Sequence, residues 1–130
     1  MANDSNSKRC TLVVDDCRTT RMLVRRTLES LGFKVDEATH GEEALHRCAV
    51  HGPYDLAMVD WNMPVMDGLS LINALSAKPE YQRMNILMIS TRNELDEMLE
   101  AISSGATDYL TKPFSKDDLR EKLTELGFAL

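Results

Sequence analysis

A chain of 130 residues, 43% apolar and 28% charged, has room for one core and the composition of an ordinary soluble globular domain. Its formal net charge of −6 speaks against nucleic acid as a partner, because a phosphate backbone calls for a basic face. Acids interrupt the apolar runs within a few residues and the start, Met1 to Arg9, is polar, so neither a membrane span nor a signal peptide is expected and the compartment is read as cytoplasmic.

Residues 1–8 read as a flexible tail and residues 9–130 as a single domain. Leu12-Val13-Val14 is the first short apolar run, and it stops at Asp15-Asp16. Val24, Leu28 and Leu31 then repeat at helical spacing until Gly32 closes the segment. Lys34 to Thr39 reads as a weaker, more polar strand, and Ala44, Leu45 and Cys48 form a short helical stripe behind Gly41-Glu42-Glu43. Leu56-Ala57-Met58-Val59 is the second apolar run and ends at Asp60; Leu69, Ile72 and either Leu75 or Ala74 follow Asp67-Gly68 as a helix. Ile86-Leu87-Met88-Ile89 is the third run and ends at Ser90. Leu95, Met98, Leu99 and Ile102 make the cleanest helical stripe, stopped by Gly105. Thr107 to Thr111 is the other weak strand. Leu119, Leu123 and Leu126 form the last stripe, with Ser115 as N-cap and Asp117-Asp118 in the first turn, where acids favour the helix dipole.

Strands that are apolar throughout suit burial on both faces, as in a parallel sheet between two layers of helices. The alternation predicts an α/β fold, a doubly wound (βα)5 parallel sheet in a flavodoxin-like three-layer sandwich, with the two polar strands at its edges. Ligands of such sheets bind beyond the carboxyl ends of the central strands, where strand order reverses. Asp15, Asp16, Asp60 and Ser90 all stand at such ends and should converge in one crevice. Cys10, Cys17 and Cys48 contain no CxxC pair and read as reduced thiols. His40, His46 and His51 lack the i,i+4 spacing of a metal pair and read as surface residues around one helix.

Three carboxylates in one crevice repel one another, and either a proton or a cation must relieve them. Carboxylate oxygens and water are the ligand set of Mg²⁺, with Mn²⁺ as the alternative ion. Lys112, followed by Pro113, ends the last strand beside the same crevice and could pair with Asp60, or with phosphate oxygens once Asp60 is modified. The Ser90 hydroxyl adds a donor for those oxygens. Aspartate is a competent nucleophile toward phosphorus when a metal neutralises the incoming charge. These residue types together make a phosphoryl-acceptor site.

Val13-Val14-Asp15-Asp16, the run from Asp60-Trp61-Asn62-Met63-Pro64 to Val65-Met66-Asp67-Gly68, and Lys112-Pro113-Phe114 resemble the motifs of two-component response regulator receivers. The resemblance spans roughly Arg9 to Leu126 and is strongest to the single-domain, CheY-like chemotaxis regulators. It implies that Asp60 is the phosphoacceptor. It also implies that Asp16 ligates Mg²⁺ directly, Asp15 mostly through water, and Asn62 through its backbone carbonyl. Lys112 would contact the phosphoryl group, placed by a cis bond to Pro113. Ser90 would swing toward the phosphoryl oxygens and Tyr109 would rotate inward behind it, while Pro64 and Gly68 shape the loop after the acceptor. The implied donor is a histidine kinase, and the implied target is the flagellar motor switch or another effector, bound through the fourth helix and fifth strand around Arg92 to Ser104 and Tyr109. A phosphatase is a further expected partner. Because no output domain follows Leu130, partner binding is the expected output.

The chain departs from the family at Thr91, a position usually small, and at Arg92, often acidic among chemotaxis regulators. Both, with Asn62, are expected to tune the lifetime of the phosphorylated form. Two alternatives compete with a switch of this kind. A phosphate sink or relay intermediate would use the same site without an effector. A haloacid dehalogenase-type Mg²⁺ phosphatase would need a second aspartate two residues after the nucleophile, where this chain has Asn62.

Overall fold

The computed structural model describes residues 9–130, so the expected tail over residues 1–8 lies outside the described residues. The chain alternates β1 (Arg9–Val14), α1 (Arg18–Ser30), β2 (Phe33–Ala38), α2 (Gly41–His51), β3 (Leu56–Asp60), α3 (Gly68–Ser76), β4 (Asn85–Ser90), α4 (Leu95–Ser103), β5 (Asp108–Thr111) and α5 (Lys116–Glu125), with a short 3-10 turn at Pro79–Tyr81. The five strands form one parallel sheet in the order β2-β1-β3-β4-β5. The expected (βα)5 flavodoxin-like fold is therefore present, with the reversal of strand order falling between β1 and β3.

Side chains of a strand alternate between faces, and here both faces are apolar. Leu12, Val14, Val59 and Met88 pack with Ala44 and Cys48 of α2 and with Leu71, Ile72 and Leu75 of α3. Val13, Met58, Leu87 and Ile89 pack with Val24 and Leu28 of α1 and with Leu119 and Leu123 of α5. Two cores thus flank one sheet, which makes the three layers. In the third helix the choice between Leu75 and Ala74 falls to Leu75, 1% exposed.

Local chemistry accounts for the boundaries. β2 begins at Phe33 rather than Lys34, because Phe33 pairs with Arg9 and meets the Phe128 ring edge-on at 5.4 Å. β5 begins at Asp108 rather than Thr107. The Thr107 amide still donates to the Ile86 carbonyl, but its hydroxyl takes the place of the next backbone acceptor by receiving the Ile86 amide at 2.9 Å. Ser115 caps α5 as expected and closes a full capping box with Asp118. Gly32 and Gly105, which close α1 and α4, lie at positive φ, where a side chain would be strained. All three cysteines are free. Among the described residues no helix is long and apolar enough to cross a membrane.

Two features differ from the sequence reading. His46 and His51 are exposed, but His40 is not a bystander on the surface. It is the N-cap of α2, where its Nδ1 accepts the Glu43 amide at 3.2 Å. The cleanest apolar stripe in the sequence also points away from the sheet. In α4 Leu95 is 67% exposed, Leu99 54% and Ile102 43%, and the helix rests on the core through Ala101 and Met98. An apolar helix face left in solvent marks an interaction surface more often than a packing error.

Candidate functional site

Parallel pairing brings the carboxyl ends of β1, β3, β4 and β5 side by side, with Val14 opposite Val59, Asp60 opposite Ile89 and Ser90 opposite Thr111. Residues far apart in sequence therefore meet at one rim. Carboxylate oxygens of Asp15, Asp16 and Asp60 lie within 4.8 Å of one another. Asp15 and Asp60 are buried, at 1% and 6% exposure, whereas Asp16 faces solvent. Lys112 reaches across the rim, its Nζ donating to Asp60 Oδ1 at 2.8 Å and to Asp15 Oδ2 at 3.4 Å. Its peptide bond to Pro113 is cis, as expected, and its amide donates to the Ser90 carbonyl at 2.8 Å.

The electrostatics follow from this crowding. Burial pushes the Asp60 carboxyl above its ordinary range; Lys112 offsets part of that rise, and Asp15 and Asp16 add to it. Burial disfavours the Lys112 ammonium, yet Asp60 and then Asp15 outweigh it and hold the group above an ordinary lysine. Three carboxylates against one ammonium leave an excess of about two negative charges. A divalent cation with a preference for oxygen fits this donor set.

The two adjacent acids have different jobs from those their sequence order suggests. Asp15, although one residue farther from α1 than Asp16, is the acid whose Oδ1 accepts the Cys17 amide at 2.9 Å. Asp15 continues the line of β1, with its own amide on the Ala38 carbonyl at 3.1 Å, so its side chain turns inward. Asp16 lies past the last sheet bond and is left open to solvent.

The loop after Asp60 is tightly wound. The Trp61 amide donates to the Ile89 carbonyl, and the Gly68 amide returns to the Trp61 carbonyl at 2.8 Å. A Cβ on Gly68 would stand 2.3 Å from the Asp60 carbonyl oxygen and 2.9 Å from Trp61 Cα, so only glycine fits. Pro64 is exposed at the tip of this loop, beside Val65 at φ 70°. Gly68→Ala is expected to destabilise the protein by about 2–3 kcal/mol, since backbone rather than a flexible side chain must give way. Urea unfolding of the two proteins checks this; equal midpoints would show that the loop can open at no cost.

Ser90 is buried at 1%, and its Oγ accepts the Arg92 amide at 3.0 Å. Tyr109 already lies inward, 7% exposed, its hydroxyl donating to the Arg92 carbonyl at 2.8 Å and its ring edge-on to Trp61 at 6.3 Å. Thr91 is exposed and, with Lys112, Pro113 and Phe114, lines an apolar cavity of about 370 Å³ against α1. The Arg92 side chain takes the other direction. It donates to Asn62 Oδ1 at 2.9 Å, pairs with Glu97 at 3.1 Å and covers the Trp61 ring. Pairing with a neighbouring acid is what an arginine at this place suggests, whereas Asn62 and Trp61 were not anticipated as its partners. The acid five residues after Arg92 was the one trace of the pairing in the sequence.

A family model for the response regulator receiver domain matches residues 11–124. The chain belongs to the response regulator receivers. Chemotaxis protein CheY1 of Helicobacter pylori is 38% identical to it over 113 residues, covering 86% of this chain and 91% of that protein. A CheY homolog of Campylobacter jejuni is 38% identical over 116 residues, covering 88% and 89%. Among solved structures, CheY4 of Vibrio cholerae superposes with a TM-score of 0.86 at 33% identity, covering 92% of this receiver and 98% of that chain. The receiver is thus a switch of two-component signalling, with its acidic cluster at the place where the doubly wound sheet presents its ligand site.

Proposed function

We propose that this receiver takes a phosphoryl group from a histidine kinase onto Asp60 and then changes its affinity for a partner protein, in chemotaxis. The observation that carries the reading is the pairing of the buried Asp60 carboxylate with Lys112 inside a three-carboxylate cluster. Similarity to chemotaxis proteins supports the circuit. The Asp15 and Asp16 carboxylates, Asp60 and the Asn62 backbone carbonyl would hold Mg²⁺, or Mn²⁺ in its place. The ion supplies charge neutralisation for the incoming phosphoryl group.

The remaining work falls to the chain itself. An oxygen of Asp60 attacks phosphorus, the P–N bond of the phosphohistidine breaks, and its electron pair returns to the imidazole. Lys112 leaves its ion pair with the carboxylate and follows the charge onto the phosphoryl oxygens. Ser90 exchanges the Arg92 amide for the same oxygens. These two movements alter the β4–α4 connection, against which Tyr109 is anchored. The partner, a flagellar motor switch component or another effector, would dock on the apolar face of Leu95, Leu99 and Ile102 beside β5. That face is already exposed, which supports protein binding there as the output. A phosphatase would complete the cycle.

Transfer of radiolabel from an autophosphorylated histidine kinase tests the reading and the two unusual positions together. Label should reach the parent only with Mg²⁺ present; transfer that survives chelation of the metal, or label taken directly from ATP with the kinase left out, would contradict it. Thr91 is proposed to crowd the approach to Asp60, since a β-branched side chain has few rotamers with which to retreat. Thr91→Ala should therefore speed both phosphorylation and loss of label. Arg92→Glu should mainly speed the loss, because it frees Asn62 and uncovers the approach. Each change is expected to be about 1 kcal/mol in barrier, roughly fivefold in rate. Three indistinguishable decay curves would remove both residues from the control of lifetime.

A further inference from the structure

We propose that Arg92 is a positioning residue that couples the acceptor crevice to the exposed face of α4, a reading that rests on Asp60 being the phosphoacceptor. Its guanidinium touches three elements at once. Nη2 donates to Asn62 Oδ1 at 2.9 Å, on the loop two residues after Asp60. Nη1 donates to Glu97 Oε2 at 3.1 Å, in the first turn of α4. The plane of the group lies over Trp61, with Cζ 4.4 Å from the ring centroid. Arginine suits such a junction, because its donors lie in one rigid plane whose face can stack on an aromatic ring.

The main chain of the same residue is held as firmly. Its amide donates to Ser90 Oγ and its carbonyl accepts the Tyr109 hydroxyl. Two routes therefore leave the crevice through residue 92. The main chain links Ser90 to Tyr109 on β5. The side chain links Asn62 to Glu97 on α4 through hydrogen bonds in which Tyr109 takes no part.

The side-chain contact is poised rather than fixed. Arg92 Nε is buried and, among the described residues, has no hydrogen-bond partner. A buried N–H without an acceptor is unfavourable, so release of the guanidinium relieves a penalty that closure imposes. Charge arriving at Asp60 acts on both ends of the Arg92 segment, on Asn62 from one side and on Ser90 from the other. Once either end moves, one guanidinium can no longer reach both Asn62 and Glu97. The first turn of α4 is then free to shift, and with it the apolar face of Leu95 and Leu99. This is a two-state contact of the kind through which local charge is read at a distance.

The test is amide hydrogen exchange across α4 and β5, with and without saturating Mg²⁺ and beryllofluoride as the phosphoryl mimic. Fluorine NMR of the bound group reports occupancy in each protein, so responses are compared at saturation. In the parent, exchange across Leu95–Ser103 should change roughly tenfold on loading, and in Arg92→Ala and Arg92→Lys by less than about threefold. β5 should respond in all three, since the main-chain route is intact. Asn62→Ala should resemble Arg92→Ala, and the double variant should lose no more than either single one. A merely structural role would shift exchange equally in both states and leave the loading response whole. A bound fluorine signal with an undiminished α4 response in Arg92→Ala overturns the coupling alone. No bound signal in the parent overturns the acceptor reading, and the coupling with it.

Discussion

Lys112→Ala is expected to lose about 3 kcal/mol of stability in metal-free buffer and to lose switching, while still accepting a phosphoryl group slowly. The loss of stability follows from what the ammonium holds. Its Nζ lies 2.8 Å from Asp60 and 3.4 Å from Asp15, and both acids are buried. Removing one partner of a buried pair leaves uncompensated charge, which is far worse than never having had the pair. Mg²⁺ should restore part of the loss by neutralising the same carboxylates. The loss of switching has a separate cause. Without the ammonium, no charge-assisted contact ties the modified Asp60 to the end of β5. A contact of that kind contributes about 2 kcal/mol, roughly thirtyfold in the equilibrium between the two states. Urea unfolding with and without Mg²⁺ measures the first effect, and target affinity before and after phosphorylation the second. An alanine variant that unfolds at the parent's midpoint and binds its target normally on phosphorylation would make Lys112 a bystander.

Asp60→Asn is expected to do the opposite, stabilising the metal-free protein at neutral pH. The Asp60 carboxyl is held above its ordinary value of 3.8, first by burial and then by Asp15 and Asp16. Between the unfolded and the folded pKa the native state binds the extra proton, so stability falls as pH rises through that window. Above it, the ionised carboxylate remains a standing cost. Asparagine removes the charge and keeps the shape. The gain should be on the order of 1 kcal/mol, because Lys112 already offsets part of a repulsion of a few kcal/mol. It should shrink toward zero as the pH falls below the window, and saturating Mg²⁺ should narrow it by stabilising the parent more. Thermal unfolding across pH 4 to 8 follows both trends. A variant less stable than the parent at neutral pH would show that the Asp60–Lys112 pair outweighs the crowding of the acids.

The crevice was legible in the sequence for a topological reason. A parallel sheet sets the carboxyl ends of neighbouring strands in a row, so apolar runs that stop at Asp15-Asp16, Asp60 and Ser90 must deliver those side chains to one rim. The polar strands around Lys34 and Thr107 were legible as edges, because only an edge tolerates so many charges. Direction was harder to read. Periodicity shows that Leu95, Leu99 and Ile102 share one face of α4, but not that the small Ala101 is the residue turned to the sheet. Spacing likewise separates Asp15 from Asp16 by a single residue. Which one turns inward depends on where the last sheet hydrogen bond of β1 falls. Apart from the nearby Glu97, the contacts of Arg92 depend on the paths of two loops at once, and no local pattern encodes them. His40 was misjudged because imidazole is an uncommon N-cap, and its role appears only once the Glu43 amide is seen above it.

The central claim, that Asp60 is the phosphoacceptor of a metal-assisted site, is tested most directly by intact mass after incubation with acetyl phosphate. The parent should gain one phosphoryl mass when Mg²⁺ is present and none when it is chelated, and Asp60→Ala should gain none under either condition. A parent that stays unmodified, or an Asp60→Ala variant that gains the same mass, would contradict the account.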